Sequence, residues 1–134
     1  MAAEALTASN FDSTISGTDI VVVDFWAPWC GPCKGFAPIF EQASDEHSDV
    51  KFVKVNTDEE PELAGHFGIR SIPTLIVFRE RVIVFQQAGA LSRGALDDVL
   101  TQMRALDMDE VRRGARPYDP DADGAGDDEG PTLQ

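Results

Sequence analysis

The stretch IVVVDFWAPWCGPCK, residues 20–34, joins a β-branched apolar run to both cysteines of the chain. The run Ile20–Phe25 is typical of a central strand that is buried on both faces. Cys30 and Cys33 follow it, and Pro32 between them suits the first turn of a helix. Two cysteines in this position favour reversible dithiol–disulfide chemistry.

Their positions in the predicted helix give the two cysteines different roles. At the helix N-terminus, unpaired backbone N–H groups and the helix dipole favour a thiolate, so Cys30 is the predicted nucleophile. Cys33 lies one turn further in, where we expect it to be more buried and to resolve the mixed disulfide. Gly31 and Pro32 stiffen the turn between them.

A Cys-x-x-Cys pair by itself also occurs in zinc sites and as an unreactive pair in a core. Zinc takes about four ligands, and the chain has no further cysteine and only His47 and His66. We therefore expect no metal and favour redox chemistry. Both histidines are expected to lie on solvated helix surfaces.

Composition favours one globular domain in a chain of 134 residues, of which 43% are hydrophobic. The net charge of −13 argues against nucleic acid or an anionic membrane as a partner. No signal peptide is visible at the N-terminus, and no apolar run approaches the roughly 18 residues of a membrane span. We therefore expect a cytoplasmic protein, in which a Cys-x-x-Cys pair is catalytic or metal-binding rather than a structural disulfide.

Hydrophobic periodicity and turn residues predict an α/β fold with a central mixed β-sheet flanked by helices on both faces. The short link between the last two strands makes that pair antiparallel. The other predicted strands are Ala2–Leu6, Lys51–Asn56, Thr74–Phe78 and Val82–Gln87. Four helices are predicted. The first starts near Ser9 and ends at Gly17, and the second runs from Gly31 to about Ser48. The third has Asp58 as N-cap and Pro61 in its first turn, and the fourth runs from Ser92 past Leu106.

The segment from Val23 to Lys34 closely resembles the active-site segment of thioredoxins, and the resemblance extends over about residues 5–105. A second motif of the family is matched at 70–74. The resemblance implies the thioredoxin fold and a protein-disulfide oxidoreductase that maintains cytosolic redox homeostasis. The Gly31-Pro32 dipeptide resembles the reducing members, in which this dipeptide tunes the reduction potential.

The resemblance also implies how the protein is recharged and what it acts on. A thioredoxin reductase would reduce it with electrons from NADPH, so no cofactor is bound by the chain itself. The family's clients are disulfide-containing proteins such as ribonucleotide reductase, peroxiredoxins and sulfoxide reductases. We expect a monomer.

Asp24 is an acid within an apolar strand. Burial of a carboxylate is costly unless it is paired or protonated, so Asp24 either faces solvent at the strand end or is buried with a raised pKa. In thioredoxins the matching aspartate relays protons to and from the residue matching Cys33. Lys54 matches the lysine that approaches this aspartate, although an ordinary surface lysine would fit the sequence equally well.

Four further residues are candidates for client docking. The resemblance implies a cis peptide bond before Pro73, with the backbone of Ile72 free to pair with an extended client; a trans strand-entry proline is the alternative. Gly89 matches a glycine that keeps the docking surface flat, and a plain strand-to-helix turn is the alternative. Trp29 is expected to shield the dithiol and contact the client, whereas Trp26 is expected to pack in the core.

The hairpin between the last two strands departs from the family. Residues 78–82 contain none of the turn residues that readily adopt positive φ, so we expect a loose or strained turn. The strand that follows, Val82–Phe85, is apolar on both faces, which is unusual for an edge strand. A helix, a partner or the C-terminal extension is therefore expected to cover it.

The acidic residues divide the chain into residues 1–106, the predicted thioredoxin domain, and an extension, 107–134. The extension carries nine acidic and three basic residues and has no counterpart in compact thioredoxins. We expect it to be largely disordered from Gly114 onward. An alternative is that Met108 and Val111 prolong the last helix and pack on the domain.

Two other functions compete with the general reductant. One is a specialised disulfide isomerase or oxidant, against which the Gly31-Pro32 dipeptide and the absence of a signal peptide both argue. The other is a thioredoxin-fold binding or chaperone module that uses the same surface without turnover.

Overall fold

The structure, a computed structural model, describes residues 3–115, 117 and 118. Strands and helices alternate along most of it. In chain order the elements are β1 (Glu4–Ala5), α1 (Ala8–Gly17), β2 (Ile20–Trp26), α2 (Gly31–Glu46), β3 (Lys51–Asn56), α3 (Pro61–His66), β4 (Thr74–Arg79), β5 (Val82–Ala88), α4 (Arg93–Arg104) and α5 (Met108–Gly114).

The five strands form one mixed sheet in the order β1-β3-β2-β4-β5. Strands β1, β3 and β2 are parallel, whereas β4 is antiparallel to both β2 and β5. The predicted mixed sheet, and the antiparallel last pair, are thus confirmed. Strand β2 occupies the centre, which explains why its sequence is apolar at nearly every position.

Side chains that alternate along β2 face two separate hydrophobic clusters. Val22 lies with residues of α2, α4 and α5, which we call the α2 face. Val21, Val23 and Phe25 lie with residues of α1 and with Phe67, which follows α3. We call this side of the sheet the α1 face. Each fully buried Val or Phe contributes about 1.5–3 kcal/mol, so the two layers fix β2, and with it the loop that carries the cysteines.

Helix boundaries differ from expectation at three places. Helix α1 starts after Thr7, whose backbone N–H donates to the side chain of Asn10. Helix α3 follows Glu60 and not the expected N-cap Asp58, which lies before the helix. Helix α4 ends at Arg104, and the chain turns before α5 begins.

The turn between α4 and α5 is held by two polar side chains. Arg79, at the end of β4, donates through Nη1 to the carbonyl oxygens of Met103, Arg104 and Leu106 at 2.8, 3.0 and 3.2 Å. The last four carbonyls of a helix lack the usual partner four residues on; here the Met103 carbonyl accepts from the Leu106 N–H at 3.4 Å as well as from Arg79. The Asp107 carboxylate then caps α5 by accepting from two backbone N–H groups.

Helix α5 packs on the α2 face of the domain. Met108 and Val111 are only 6% and 8% exposed and belong to the cluster on that face. We therefore propose that the folded unit extends beyond the boundary expected at residue 106, and that α5 is a separate helix and no continuation of α4. Disorder was expected from Gly114 onward, and of that stretch residues 116 and 119–134 lie outside the described residues.

The hairpin between β4 and β5 is a tight two-residue turn. Glu80 and Arg81 have φ angles of 53° and 70°, the left-handed region in which a side chain costs roughly 1–2 kcal/mol. The expectation of a strained turn is confirmed, and that of a loose one is wrong. The Glu80 N–H donates to the Asp19 carbonyl at 2.8 Å, a bond that helps to hold the turn.

The apolar run of β5 is distributed unevenly because of a bulge. The register shifts between Val77 and Phe78, so that Val77 faces Phe85 and Phe78 faces Ile83. Val82, Val84 and Phe85 consequently lie on the α2 face and Ile83 on the α1 face. The bulge places one extra residue in β5. It therefore explains in part why consecutive residues of this edge strand are apolar, which simple alternation between two faces does not.

We predict that Arg81→Gly stabilises the protein. Glycine adopts positive φ without a steric penalty, and its larger unfolded-state entropy offsets part of the gain, which leaves roughly 0.5–1 kcal/mol. Urea unfolding measures the difference. Glu59→Gly, at an exposed position without positive φ, is the control and is expected to destabilise; equal effects of the two substitutions would contradict strain at Arg81.

Candidate active site

The dithiol lies where β2 leaves the sheet and α2 begins. Cys30 is the N-cap of α2, and its Sγ accepts a hydrogen bond from the Cys33 N–H at 3.1 Å. The first-turn N–H groups and the dipole of the 16-residue helix α2 therefore act directly on the Cys30 sulfur, the atom that the sequence assigned as nucleophile. Pro32 occupies the first turn, as expected.

The two cysteines form a disulfide, with their Cα atoms 5.2 Å apart. In this oxidised state Cys30 and Cys33 are 4% and 3% exposed, so the expected difference in burial is absent. They form a small apolar cluster with Ala27, against which Trp26 and Ile72 pack. In this state both cysteines are therefore largely shielded from water.

Asp24 is buried, with 1% of its surface exposed, and the solvent-facing alternative is wrong. Its Oδ1 has no hydrogen-bond partner among the described residues. Burial raises the pKa of Asp24 from 3.8 to about 7, and the charge of Lys54 opposes that rise. Lys54 is opposite Asp24 in the parallel β2–β3 pair, so the sheet register brings the two together.

A cavity of about 70 Å³ connects the buried acid to the dithiol. Its lining residues are Asp24, Trp26, Cys33, Lys34, Ala37 and Lys54. A cavity of this size has room for water, and the unpartnered carboxylate oxygen of Asp24 offers such a water a polar partner.

Trp26 is a wall of this cavity, in contrast to the core position expected from the sequence. Its side chain is half-buried, and the Lys54 Nζ lies over its ring, 4.7 Å from the centroid. A cation at this distance is attracted by the negative face of the ring. Trp26 therefore contacts the ammonium group that the sequence linked to Asp24.

The loop before β4 places its backbone against the dithiol. The Ile72–Pro73 peptide bond is cis, as expected, and the Ile72 carbonyl oxygen lies 3.7 Å from the Cys30 sulfur. On the other side, the Pro73 carbonyl accepts from the Gly89 N–H at 2.8 Å. Gly89 has a φ of 100°, a value that favours glycine, so it both forms the turn after β5 and borders the loop before β4.

Trp29, which precedes Cys30 in the chain, is 67% exposed, the one large hydrophobic residue that is exposed among those described. Its indole N–H donates to the Asp58 carboxylate, at 3.0 Å to Oδ2. Asp58 was expected to cap α3, so the sequence missed this partner. Because β2 and β3 are parallel, the segments that follow them lie at one edge of the sheet. This rule could have predicted that Asp58, after β3, lies near Trp29, after β2.

Three other residues were expected on solvated helix surfaces, and the structure agrees for two of them. Lys34 is exposed on α2, as expected, and also lines the cavity. His66 is exposed, as expected. His47 is not a solvated residue: its Nε2 lies 2.8 Å from the Asp97 carboxylate and its Nδ1 lies 2.7 Å from Arg104 Nη2.

Fold and site together define the class of protein, a disulfide oxidoreductase with a thioredoxin fold. The sequence model of the thioredoxin family matches residues 2–102. The chain therefore belongs to the thioredoxin family, and its activity is dithiol–disulfide exchange that reduces protein disulfides.

Individual relatives agree. The chain is 56% identical over 108 residues to a putative thioredoxin 2 of Streptomyces coelicolor, an alignment that covers 81% of each protein. It is 46% identical to thioredoxin 1 of Synechococcus elongatus, over 73% of this chain and 94% of that one. Among solved structures, thioredoxin of Plasmodium falciparum superposes with a TM-score of 0.70 at 37% identity, over 74% of this chain and 97% of that one.

Neither a bound cofactor nor a metal is required by the chemistry of this family. Among the described residues, no group of three or more His, Cys, Asp or Glu side chains is arranged to hold a metal ion.

We predict that Asp24→Asn stabilises the oxidised protein at neutral and alkaline pH. The native state holds the Asp24 proton more tightly than the unfolded state, whose pKa is near 3.8. Its contribution to stability is therefore fully present below pH 3.8 and is lost as the pH rises through about 7. At 1.36 kcal/mol per pKa unit, the variant should exceed the wild type by on the order of 4 kcal/mol at pH 8.

Urea unfolding at pH 4, 6 and 8 measures this difference. Asp98→Asn, at an exposed position of α4, is the matched control and should leave the pH dependence unchanged. A constant difference between Asp24→Asn and the wild type at all three pH values would contradict the raised pKa.

Proposed function

We propose that this chain is a general protein-disulfide reductant in which Cys30 attacks and Cys33 resolves. The observation that carries the assignment is the place of the Cys30 sulfur at the N-terminus of α2, where it accepts the Cys33 N–H. A thiolate at Cys30 is stabilised there by the helix dipole and by that hydrogen bond, whereas Cys33 lies within the first turn.

The exchange consists of two displacements. The Cys30 thiolate attacks one sulfur of the client disulfide, and the other client sulfur leaves as a thiolate and takes up a proton. Cys33, once deprotonated, then attacks the Cys30 sulfur and expels the second client thiolate. Two electrons pass from the dithiol to the client, and the Cys30–Cys33 disulfide remains.

Asp24 is the proposed base for the second displacement. It lines the same cavity as Cys33, and its pKa of about 7 allows it to take and return a proton near neutral pH. Lys54 keeps that pKa from rising further, because its positive charge favours the carboxylate. A water molecule in the cavity would carry the proton between the two groups.

Client docking is proposed for the surface around the dithiol. Trp29 offers exposed apolar area, and the backbone of Ile72, next to cis-Pro73, can pair with an extended client strand. Gly89 has no side chain to obstruct that strand. Gly31 and Pro32, both exposed, form the turn that follows Cys30 and are the residues proposed to tune its reduction potential.

The cell context follows from the family. Thioredoxins interact with a thioredoxin reductase and with disulfide-containing clients. We propose that such a reductase, using NADPH, recharges this chain in the cytoplasm, and that the chain works as a monomer without nucleic acid or a membrane as partner. None of the helices described here is long and apolar enough to span a bilayer.

Serine substitutions test the two cysteine roles. Cys30→Ser should abolish insulin reduction, because the remaining thiol, Cys33, is buried and is not the attacking group. Cys33→Ser should lose turnover but accumulate mixed disulfides between Cys30 and clients, visible as adducts on non-reducing gels. Adducts that form through Cys33 in the Cys30→Ser variant would reverse the assignment, and a biological function retained by Cys30→Ser would favour a binding or chaperone module.

The relay is tested by the pH dependence of exchange. Asp24→Asn should slow insulin reduction about tenfold to a hundredfold at pH 7. This factor lies at or below the lower end of the contribution that a general base usually makes to a rate. The defect should shrink towards pH 9, where a thiol of ordinary pKa near 8.5 ionises without help. Glu62→Gln, at an exposed acid of α3, is the control, and unchanged Asp24→Asn rates from pH 6 to 9 would remove the relay role.

A further inference from the structure

The Lys54 ammonium has two neighbours near the end of β2, the Asp24 carboxylate and the Trp26 ring. Side chains at i and i+2 of a strand point to the same face, so Asp24 and Trp26 both lie on the α2 face of the sheet. Lys54 is opposite Asp24 in the parallel β2–β3 pair. All three residues line the cavity that Cys33 also lines.

Of these two neighbours, the ring is the one that the ammonium contacts. The Lys54 Nζ lies over the Trp26 ring, 4.7 Å from its centroid, a distance at which the negative face of the ring attracts a cation. The Asp24 Oδ1 has no hydrogen-bond partner among the described residues, so the ammonium does not donate to that oxygen. Lys54 acts on Asp24 through its positive charge.

The position of the Trp26 ring is set by contacts other than the one with Lys54. The Trp26 carbonyl oxygen accepts from the Thr57 N–H at 2.8 Å and from the Thr57 hydroxyl at 3.3 Å, which fixes the main chain at the end of β2. The Trp26 side chain packs against the small cluster of Ala27 and the two cysteines. Because a lysine has a flexible four-carbon stem, the ring is the fixed member of the pair and the ammonium is the movable one.

The place of the ammonium decides which proton chemistry Asp24 can perform. At a carboxyl group that is 1% exposed, opposite charges attract more strongly than in water, so an ammonium that is free to move would donate directly to the carboxylate. Such a contact favours the ionised form and lowers a carboxyl pKa by about 1 to 3. The acid would then be a weaker base and would have one oxygen fewer to offer a proton.

We propose that Trp26 is a positioning residue, whose ring holds the Lys54 ammonium near the Asp24 carboxylate but off its Oδ1, which therefore stays free to take a proton. The proposal rests on the function proposed above for Asp24, the base for the Cys33 thiol. In this role Trp26 contacts neither the client nor the proton and acts only through Lys54. The ring determines how close the positive charge comes to the buried acid.

Carboxyl-carbon NMR titration of the oxidised protein measures the pH midpoint of Asp24. Trp26→Leu removes the aromatic face and keeps an apolar side chain, whereas Trp26→Phe keeps a smaller aromatic face. Trp29→Leu is the matched control, because Trp29 is exposed and its indole N–H is bound to Asp58. Lys54→Met removes the ammonium and keeps an unbranched side chain.

We expect Trp26→Leu to lower the Asp24 midpoint from about 7 by about one pH unit or more, since the released ammonium then donates to the carboxylate. Trp26→Phe and Trp29→Leu should stay close to the wild type. Lys54→Met should raise the midpoint, because the charge that favours the carboxylate is gone. In that background Trp26→Leu should no longer lower the midpoint, because the ring has no cation to hold.

Three results would overturn the proposal: an Asp24 midpoint that is unchanged or higher in Trp26→Leu, an equal fall in Trp26→Phe and Trp26→Leu, or a fall that persists in the Lys54→Met background. The second result would assign the effect to the size of the side chain. The third would assign it to packing that acts on the acid without the cation.

A measurement on the wild type decides the case in which Trp26→Leu fails to fold. Protons above an aromatic ring resonate upfield, so the ε-methylene protons of Lys54 should resonate upfield of those of Lys51, whose ammonium is paired with Glu4. Equal shifts of the two lysines would show that the Lys54 ammonium does not lie on the ring, which would contradict the proposal.

The base role of Asp24 and the positioning role of Trp26 fail separately. If Asp24→Asn leaves insulin reduction unchanged from pH 6 to 9, the base role is lost. The Asp24 midpoints in the Trp26 variants, which are measured without a client, still decide whether the ring holds the ammonium.

Discussion

The burial of strand β2 between two helical layers is the constraint on which the site depends. Its side chains alternate between the α2 face and the α1 face, so its position is set from both sides. The chain leaves β2 at a fixed point, and α2 starts within a few residues of it. The Cys30 sulfur therefore meets the helix N-terminus in a defined geometry, which exchange chemistry needs more than any bound group.

The same burial creates the unusual acid. Asp24 occupies one position of β2 and cannot avoid the interior, so desolvation raises its pKa to about 7. The carboxylate lowers stability at neutral pH, and in the proposed relay it is the base for the Cys33 thiol. The proposed function of Asp24 therefore requires a buried group that lowers stability. Such a conflict is common where functional sites carry ionisable groups with perturbed pKa values.

The edge strand β5 and the hairpin before it are a second place where local sequence and structure conflict. Strand β5 is too apolar for an exposed edge, and the hairpin before it adopts positive φ without glycine. Both features are local conflicts, and both are compensated by contacts from distant parts of the chain: α5, Tyr118 and the loop at Asp19. The C-terminal extension is therefore partly structural, although its composition is typical of a solvated tail.

The sequence by itself determined most of the helices and strands, the mixed sheet and the dithiol that follows the buried strand β2, because hydrophobic period, turn residues and the Cys-x-x-Cys spacing are local features. Tertiary structure alone decided the partners that come from elsewhere: Asp58 against Trp29, Asp97 and Arg104 against His47, and Lys54 over Trp26. It also decided that α5 packs, since Met108 and Val111 find an apolar surface only once β5 is in place. Such contacts depend on register and layer order, which no local pattern of residues encodes.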